Sequence, residues 1–382
     1  MKLTTLFLSA LFLGASAFAQ IPGMMTTQIS SAPEGTALGA NETLSASGIA
    51  LGNRVKMRGY IDFILGYDDE ENSDQNEQFT TTGDIDFLFD LSPITAEAHI
   101  AMSNDDTPNS FVTGGTGIGL EQLFARYSVN DVFNFSFGRQ LTVLGYEADE
   151  APGLYAVSNA YVLGTSSDIA VGSVGTFGGT GIQTRRNYVD GLRANFNNGQ
   201  FGFTFGLHDG YWANNHFDGD DLAIDLAASV MIIPGLEARL GYAHQEIDND
   251  PLGPFSSLAT DSDISQFNMW LGYNPNDLTL AIEYDNFDIL ENEDYWSLML
   301  LASYQFTDWF AATLRYSHED YEITGDEADA DRISLAFLFS VTDNFGINVE
   351  YSTTSVDNGN ATGGLVDQGD YDEFYIEGLI SY

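Results

Sequence analysis

The chain has 382 residues, no cysteine, and 56 Asp and Glu against 12 Lys and Arg, for a formal net charge of −44. That acidity excludes a nucleic-acid surface, which requires basic side chains, and the missing thiols exclude disulfides and thiolate metal sites. An aromatic content of 13% argues against an acidic disordered chain.

The first 19 residues read as an export signal. Lys2 supplies a positive start, Leu6 to Leu13 an apolar core, and Ala17-Phe18-Ala19 a small-x-small cleavage site before Gln20. Residues 20–53 are rich in Ser, Thr, Gly and Ala and show no period, as expected of a flexible periplasmic segment. Beyond the signal no apolar run is long enough to cross a bilayer as a helix, and mean hydropathy is near zero. Neither fact bears on strands, whose apolar face is hidden in alternation.

Residues 54–382 are such strands. In the first, about 54–67, Val55, Met57, Ile61, Phe63, Leu65 and Tyr67 share one parity, and Arg54, Lys56, Arg58, Tyr60 and Asp62 the other. An acidic stretch from Asp68 follows, then strands at 83–91 and 94–102 joined at Ser92-Pro93. Strands at 120–129 and 132–140 meet at Asn130-Asp131, and Phe133, Phe135 and Phe137 mark an apolar face. After the long irregular segment 141–187, strands at 188–197 and 200–208 meet at Asn198-Gly199, a strong hairpin signal. Further pairs lie at 221–233 and 236–247, and at 263–274 and 277–287. In the next hairpin Trp296 to Tyr304 and Phe310 to Tyr316 carry aromatics at both ends of an apolar stripe. The last strands are 331–341, 345–354 and 371–382.

Tight turns alternate with long polar loops, and aromatics cluster at both ends of the apolar parity. Together these predict a closed antiparallel transmembrane β-barrel of about 16 strands, with 14 or 18 the neighbouring counts, short periplasmic turns and long extracellular loops. The final strand carries Phe374, Ile376, Gly378, Ile380 and Tyr382 on one parity, a pattern similar to the signal read by the barrel-assembly machinery. The expected location is the bacterial outer membrane, in contact with its lipid and lipopolysaccharide.

Two stretches carry a resemblance. One is Gly138-Arg139-Gln140, then Gly145-Tyr146-Glu147 and Ala151-Pro152. The other is Gly206 to Trp212, with Asp209-Gly210-Tyr211-Trp212 where Asn-Gly-Trp is the pattern. They resemble the OmpL-like β-barrel porin family. The resemblance implies a diffusion pore for small hydrophilic solutes and ions, a homotrimer, an inward-folded loop after the fifth strand, and no cofactor.

A barrel this wide encloses an aqueous channel, and charge on its lipid face costs about 2–4 kcal/mol near the midplane. Parity therefore assigns Lys56, Asp62, Arg239, Glu283, Arg315 and Arg332 to the lumen. Residues 141–187 are the expected constriction loop, with Glu147, Asp149 and Glu150 facing Arg58, Arg126 and Arg193 across a transverse field. The acidic stretches 68–77, 285–294 and 319–331, read as external loops, favour cations at the mouth. Two other readings compete. A structural or calcium-binding surface barrel would use Asp218 to Asp221 and Asp248 to Asp250, which lack full calcium-loop spacing. A barrel enzyme would use His208, His216, His244 or His318 at the external rim, with Asp209, Asp248 or Asp320 alongside; no Gly-x-Ser-x-Gly or His-Glu-x-x-His accompanies them. The sequence points to no catalytic residue and no metal ligand set.

Overall fold

A computed structural model describes residues 48–69, 77–103, 118–147, 151–162, 188–212, 222–247, 262–289, 293–323, 326–358 and 369–382. The expected signal (1–19), most of segment 20–53, the pieces Asp218 to Asp221 and Asp248 to Asp250, and His216 lie outside the described residues.

Sixteen strands form one antiparallel sheet. They are β1 Val55–Asp68, β2 Glu77–Leu91, β3 Ile94–Ser103, β4 Ile118–Asn130, β5 Phe133–Leu141, β6 Tyr188–Asn197, β7 Phe201–Gly210 and β8 Ala223–Ile233. They continue as β9 Leu236–Ile247, β10 Ser262–Tyr273, β11 Leu278–Ile289, β12 Glu293–Thr307, β13 Phe310–Ile323, β14 Asp326–Thr342, β15 Phe345–Asn358 and β16 Gly369–Ser381. Each pairs with its neighbours in sequence, and β16 closes on β1 from Glu373↔Asp68 to Ser381↔Tyr60. The C-terminal Tyr382 exchanges two backbone hydrogen bonds with Gly59, each 3.1 Å. Closure leaves no open edge, the condition for a sheet to stand in lipid. A two-residue bridge, Ile49–Ala50, adds to β1 at Lys56 and Met57.

The alternation is plain in β13. Ala311, Thr313, Arg315, Ser317, Glu319 and Tyr321 are buried, while Leu314 between them is 54% exposed. Around the cylinder large apolar side chains are exposed, while the buried set includes many charged and polar side chains beside apolar ones. That is the inverse of a water-soluble core and fits hydrocarbon outside. At one set of turns Tyr304, Phe306, Trp309, Phe310, Phe337 and Phe339 form a continuous ring-on-ring patch with centroids 4.9–6.3 Å apart. Such rings favour the headgroup zone.

Two expectations about the acidic stretches are corrected. Most of 319–331 is strand, since β13 runs to Ile323 and β14 begins at Asp326, giving β14 17 residues. Asp285, expected in a loop, lies in β11, and both Asp285 and Glu319 point inward and are buried. A bilayer needs only about 9–11 residues of tilted strand, so the ladder continues past the membrane. There, acidic side chains no longer report a loop.

Candidate functional site

The site is the barrel interior and the segment laid inside it. Residues 142–147 and 151–162 leave β5 and pack on inward-facing wall residues. Val143 and Leu144 join Tyr211, Trp212, Ala227, Ala243 and Phe287. Tyr146, Tyr155 and Tyr161 lie with Trp270, Met299 and Leu301. Ala151, Leu154 and Val157 reach Tyr60, Ile64, Tyr375 and Leu379 on β1 and β16. The segment thus touches walls on well-separated strands.

Two glycines with positive φ flank the departure of the segment from β5, Gly138 within the strand and Gly145 beyond its end. Gly138 has φ 118° and Gly145 φ 106°, values that a side chain makes costly. A Cβ on Gly138 would lie 2.3 Å from the carbonyl oxygen of Leu123. Both belong to the first of the two stretches singled out in the sequence, and the second stretch meets them here. The hydroxyls of Thr142 and Tyr211 are hydrogen-bonded, and the backbone N–H groups of Tyr211 and Trp212 both donate to Gln245 Oε1 at 2.8 Å. The Arg193 guanidinium donates to the Leu141 carbonyl.

Three wall carboxylates hold the segment by its backbone. Glu350 accepts from Val157 N at 2.6 Å, Ser158 N at 2.7 Å and Ser158 Oγ at 2.5 Å. Glu283 accepts from Tyr146 N at 2.8 Å and from the Tyr161 hydroxyl at 3.2 Å. Glu319 accepts from Val162 N at 2.6 Å. Arg315 supplies the opposite charge: it donates to Glu147 Oε2 at 2.7 Å, to the Ser158 carbonyl at 2.7 Å and to the Asn159 carbonyl at 2.9 Å. Charge-assisted bonds of this kind are about twice as strong as neutral ones. Burial pushes the Glu147 carboxyl above its ordinary value, with Arg315 and the Tyr155 N–H pulling the other way. Burial likewise pushes the Tyr146 phenol up, with Tyr155 adding to it.

The expected charge pairing is corrected in its partners. Glu147 meets Arg315, not Arg58, Arg126 or Arg193. Those three pair with wall carboxylates: Arg58 with Asp86 at 2.9 Å and Arg126 with Glu97 at 3.4 Å on adjacent strands, and Arg193 with Asp225 at 2.5 Å across Gly206 of the strand between them. The wall brings opposite charges closer than a loop can. Asp149 and Glu150 lie outside the described residues. Arg58, Asp62, Arg193, Arg239, Glu283, Arg315 and Arg332 are all buried on the inward parity. Lys56 and Arg126 share that parity and are half-buried. Arg239 pairs with Glu237 at 3.4 Å and covers the Trp270 ring at 5.0 Å, and Arg332 pairs with Glu373 at 2.6 Å.

The histidines do not sit as expected either. His208 is fully buried inside, against Asp225 at 3.1 Å rather than Asp209. His244 is on the opposite parity, stacked on Tyr242. His318 meets Asp331 of β14, which also accepts from the Tyr316 hydroxyl at 2.6 Å; Tyr316 and His318 lie on the apolar parity of β13, where Leu314 is exposed, rather than in a cleft. Sequence reading passed over His99, an inward, fully buried residue of β3. Its parity, shared with Glu97, was the available signal.

The comparisons agree with this geometry. A structure of Salmonella typhi OmpF in complex with daunomycin matches with a TM-score of 0.61 at 15% identity, over 86% of this chain and 98% of that one. An anion-selective porin from Comamonas acidovorans matches at 0.56 and 14%, over 86% and 99%. The trimer form of OmpT, an outer membrane protein of Vibrio cholerae, matches at 0.55 and 13%, over 86% and 100%. Comparison with curated proteins by sequence finds no match. The family model described as Gram-negative porin matches residues 9–359, and with the lipid-facing barrel and its charged interior this places the chain in the Gram-negative porin family, as an outer-membrane channel.

Proposed function

We propose that the protein is a general diffusion pore for small hydrophilic solutes that prefers cations, with segment 142–162 narrowing its lumen. The observation that carries the reading is the charge balance of the inner wall. Thirteen buried carboxylates stand against five buried arginines among the described residues. Arg58, Arg126, Arg193, Arg239, Arg315 and Arg332 each have a carboxylate partner within 3.4 Å. Paired charges cancel at a distance, so the remaining field is that of the surplus carboxylates, which concentrates cations.

The fold does not decide the preference, because the anion-selective Comamonas porin has a similar one. The side chains do. Interior aromatics such as Tyr146, Tyr155 and Tyr161 pack the inner segment against Trp270, a structural use that supports a general pore over a sugar-specific one. The Vibrio trimer form supports a homotrimer here, and surplus surface acid supports divalent bridging to lipopolysaccharide. The test is reversal potential in planar bilayers across a KCl gradient. A cation-directed potential that shrinks at high salt is expected; an anion-directed potential, or no channel, rejects the reading.

A further inference from the structure

Asp84 and Asp86 on β2 and His99 on β3 meet on the inner wall. Asp86 and His99 are directly opposite in the ladder, and Asp84 is two residues along the same face. All three are at most 5% exposed, and one ligand atom from each lies within 4.8 Å of the others. Arg58 Nε donates to the far oxygen, Asp86 Oδ2, at 2.9 Å.

The hydrogen bonds around His99 fix its ring. Leu141 N donates to Gln122 Oε1 at 3.2 Å, which turns the Gln122 amide nitrogen toward His99 Nδ1 at 3.1 Å. On the other side His99 Nε2 lies 3.3 Å from Glu97 Oε2. With the proton on Nε2, donated to Glu97, Nδ1 presents a lone pair to the Gln122 amide. A carboxylate holding the far N–H of an imidazole is the usual backing of a metal-bound histidine. Asp86 Oδ1 is 2.9 Å from Nδ1, yet it has no hydrogen bond. Two lone pairs at that distance repel, so a proton or a metal cation belongs between them. Both Asp84 oxygens are also buried and accept from no N–H or hydroxyl group; the groups beside them are the carboxyls of Asp86 and Glu121. An isolated buried carboxylate costs several kcal/mol, so something positive belongs here.

We propose that Asp84, Asp86 and His99 form a binding site for a first-row divalent cation such as Mn²⁺ or Zn²⁺, backed by Glu97. Two carboxylates and one imidazole suit these ions better than Ca²⁺, which takes six to eight oxygens. Ligand bonds of about 2.0–2.2 Å imply edges of roughly 3–3.5 Å, so atoms within 4.8 Å of one another need close by no more than about 1–2 Å. The ion would displace the Gln122 amide from Nδ1. The proposal does not depend on the permeation reading.

The test uses the full mature protein refolded in detergent with Mn²⁺ or Zn²⁺, then desalted. One ion per chain is expected. Mn²⁺ should show spin-echo modulation from a histidine nitrogen, shifted in ¹⁵N-histidine protein. His99→Gln should abolish both the modulation and the retained ion. Glu97→Gln should weaken binding about 10–100-fold. Asp343→Asn, at an exposed turn, should change nothing. The proposal is overturned if the wild type retains no stoichiometric ion, or if His99→Gln keeps it with the same spectrum. It is equally overturned if Asp84→Asn raises thermal stability with metal content unchanged. That last result would identify a carboxyl group neutralised by a proton instead.

Discussion

Replacing Glu350 by Ala should release the middle of the inner segment without dissolving the barrel. Glu350 is fully buried on β15, whose ladder with β14 and β16 does not involve the carboxylate. The substitution leaves the N–H groups of Val157 and Ser158 without their acceptor. A buried N–H left unpaired costs about 1–3 kcal/mol. Two cost about 2–6 kcal/mol, and water entering from the lumen recovers part of it, leaving roughly 3 kcal/mol. At 1.4 kcal/mol per decade this raises the undocked population about 100-fold. Arg315 keeps Glu147 and the Ser158 and Asn159 carbonyls, so the segment should detach in part and return. Single-channel recording is the assay: larger open conductance with added flicker in Glu350→Ala, and a weaker effect in Glu350→Gln, which keeps one acceptor oxygen. Traces of Glu350→Ala that match the wild type in amplitude and noise would refute the claim that this carboxylate holds the segment in the path of ions.

Two further outcomes follow from the same geometry. Because burial raises the Glu147 carboxyl, it takes up a proton at higher pH than an exposed glutamate. The folded state binds that proton more readily than the unfolded one, so the carboxyl's contribution to stability is full at low pH and is lost as pH rises through the raised value. Acidification should therefore lower cation preference in a first step above the ordinary carboxylate range, as Arg315 loses its counter-charge. Glu147→Gln should show the lowered preference already at neutral pH and lack that step in a reversal-potential titration. Gly138→Ala should destabilise the folded protein by about 1–3 kcal/mol from backbone strain alone, with the Leu123 carbonyl clash added. Urea unfolding followed by tryptophan fluorescence measures it, and an unchanged midpoint would contradict the positive φ.

The barrel was legible because its information is local. A period of two, turn residues such as Asn198-Gly199, and ring side chains at both ends of a stripe are all read within a dozen residues. The inward parity followed, and with it the placement of Arg239, Glu283, Arg315 and Arg332. The grip on the inner segment was not legible. Glu283, Glu319 and Glu350 are separated from their partners by 122 to 193 residues, and which strand faces which across the lumen is set by closure, not by any local pattern. The partners of Arg58, Arg126 and Arg193 were missed for a simpler reason. Cross-strand register puts an acid within reach of each, and a neighbour on the wall wins over an acid carried on a loop.

The surplus of acid has two separate consequences in this lumen. Some carboxylates are saturated by arginine or by backbone N–H groups; these fix shape, and their charge is largely spent within a few ångströms. Others, with Asp84 the clearest, have no donor at all and must be neutralised by something mobile. A permeating cation, a bound divalent ion and a proton are all candidates for that role, and they differ in how they respond to salt, chelator and pH. Selectivity that falls with salt but ignores chelator locates the field in the pore at large. Selectivity that changes on chelation locates part of it on β2 and β3, beside Arg58, where a bound dication would oppose the acid around it.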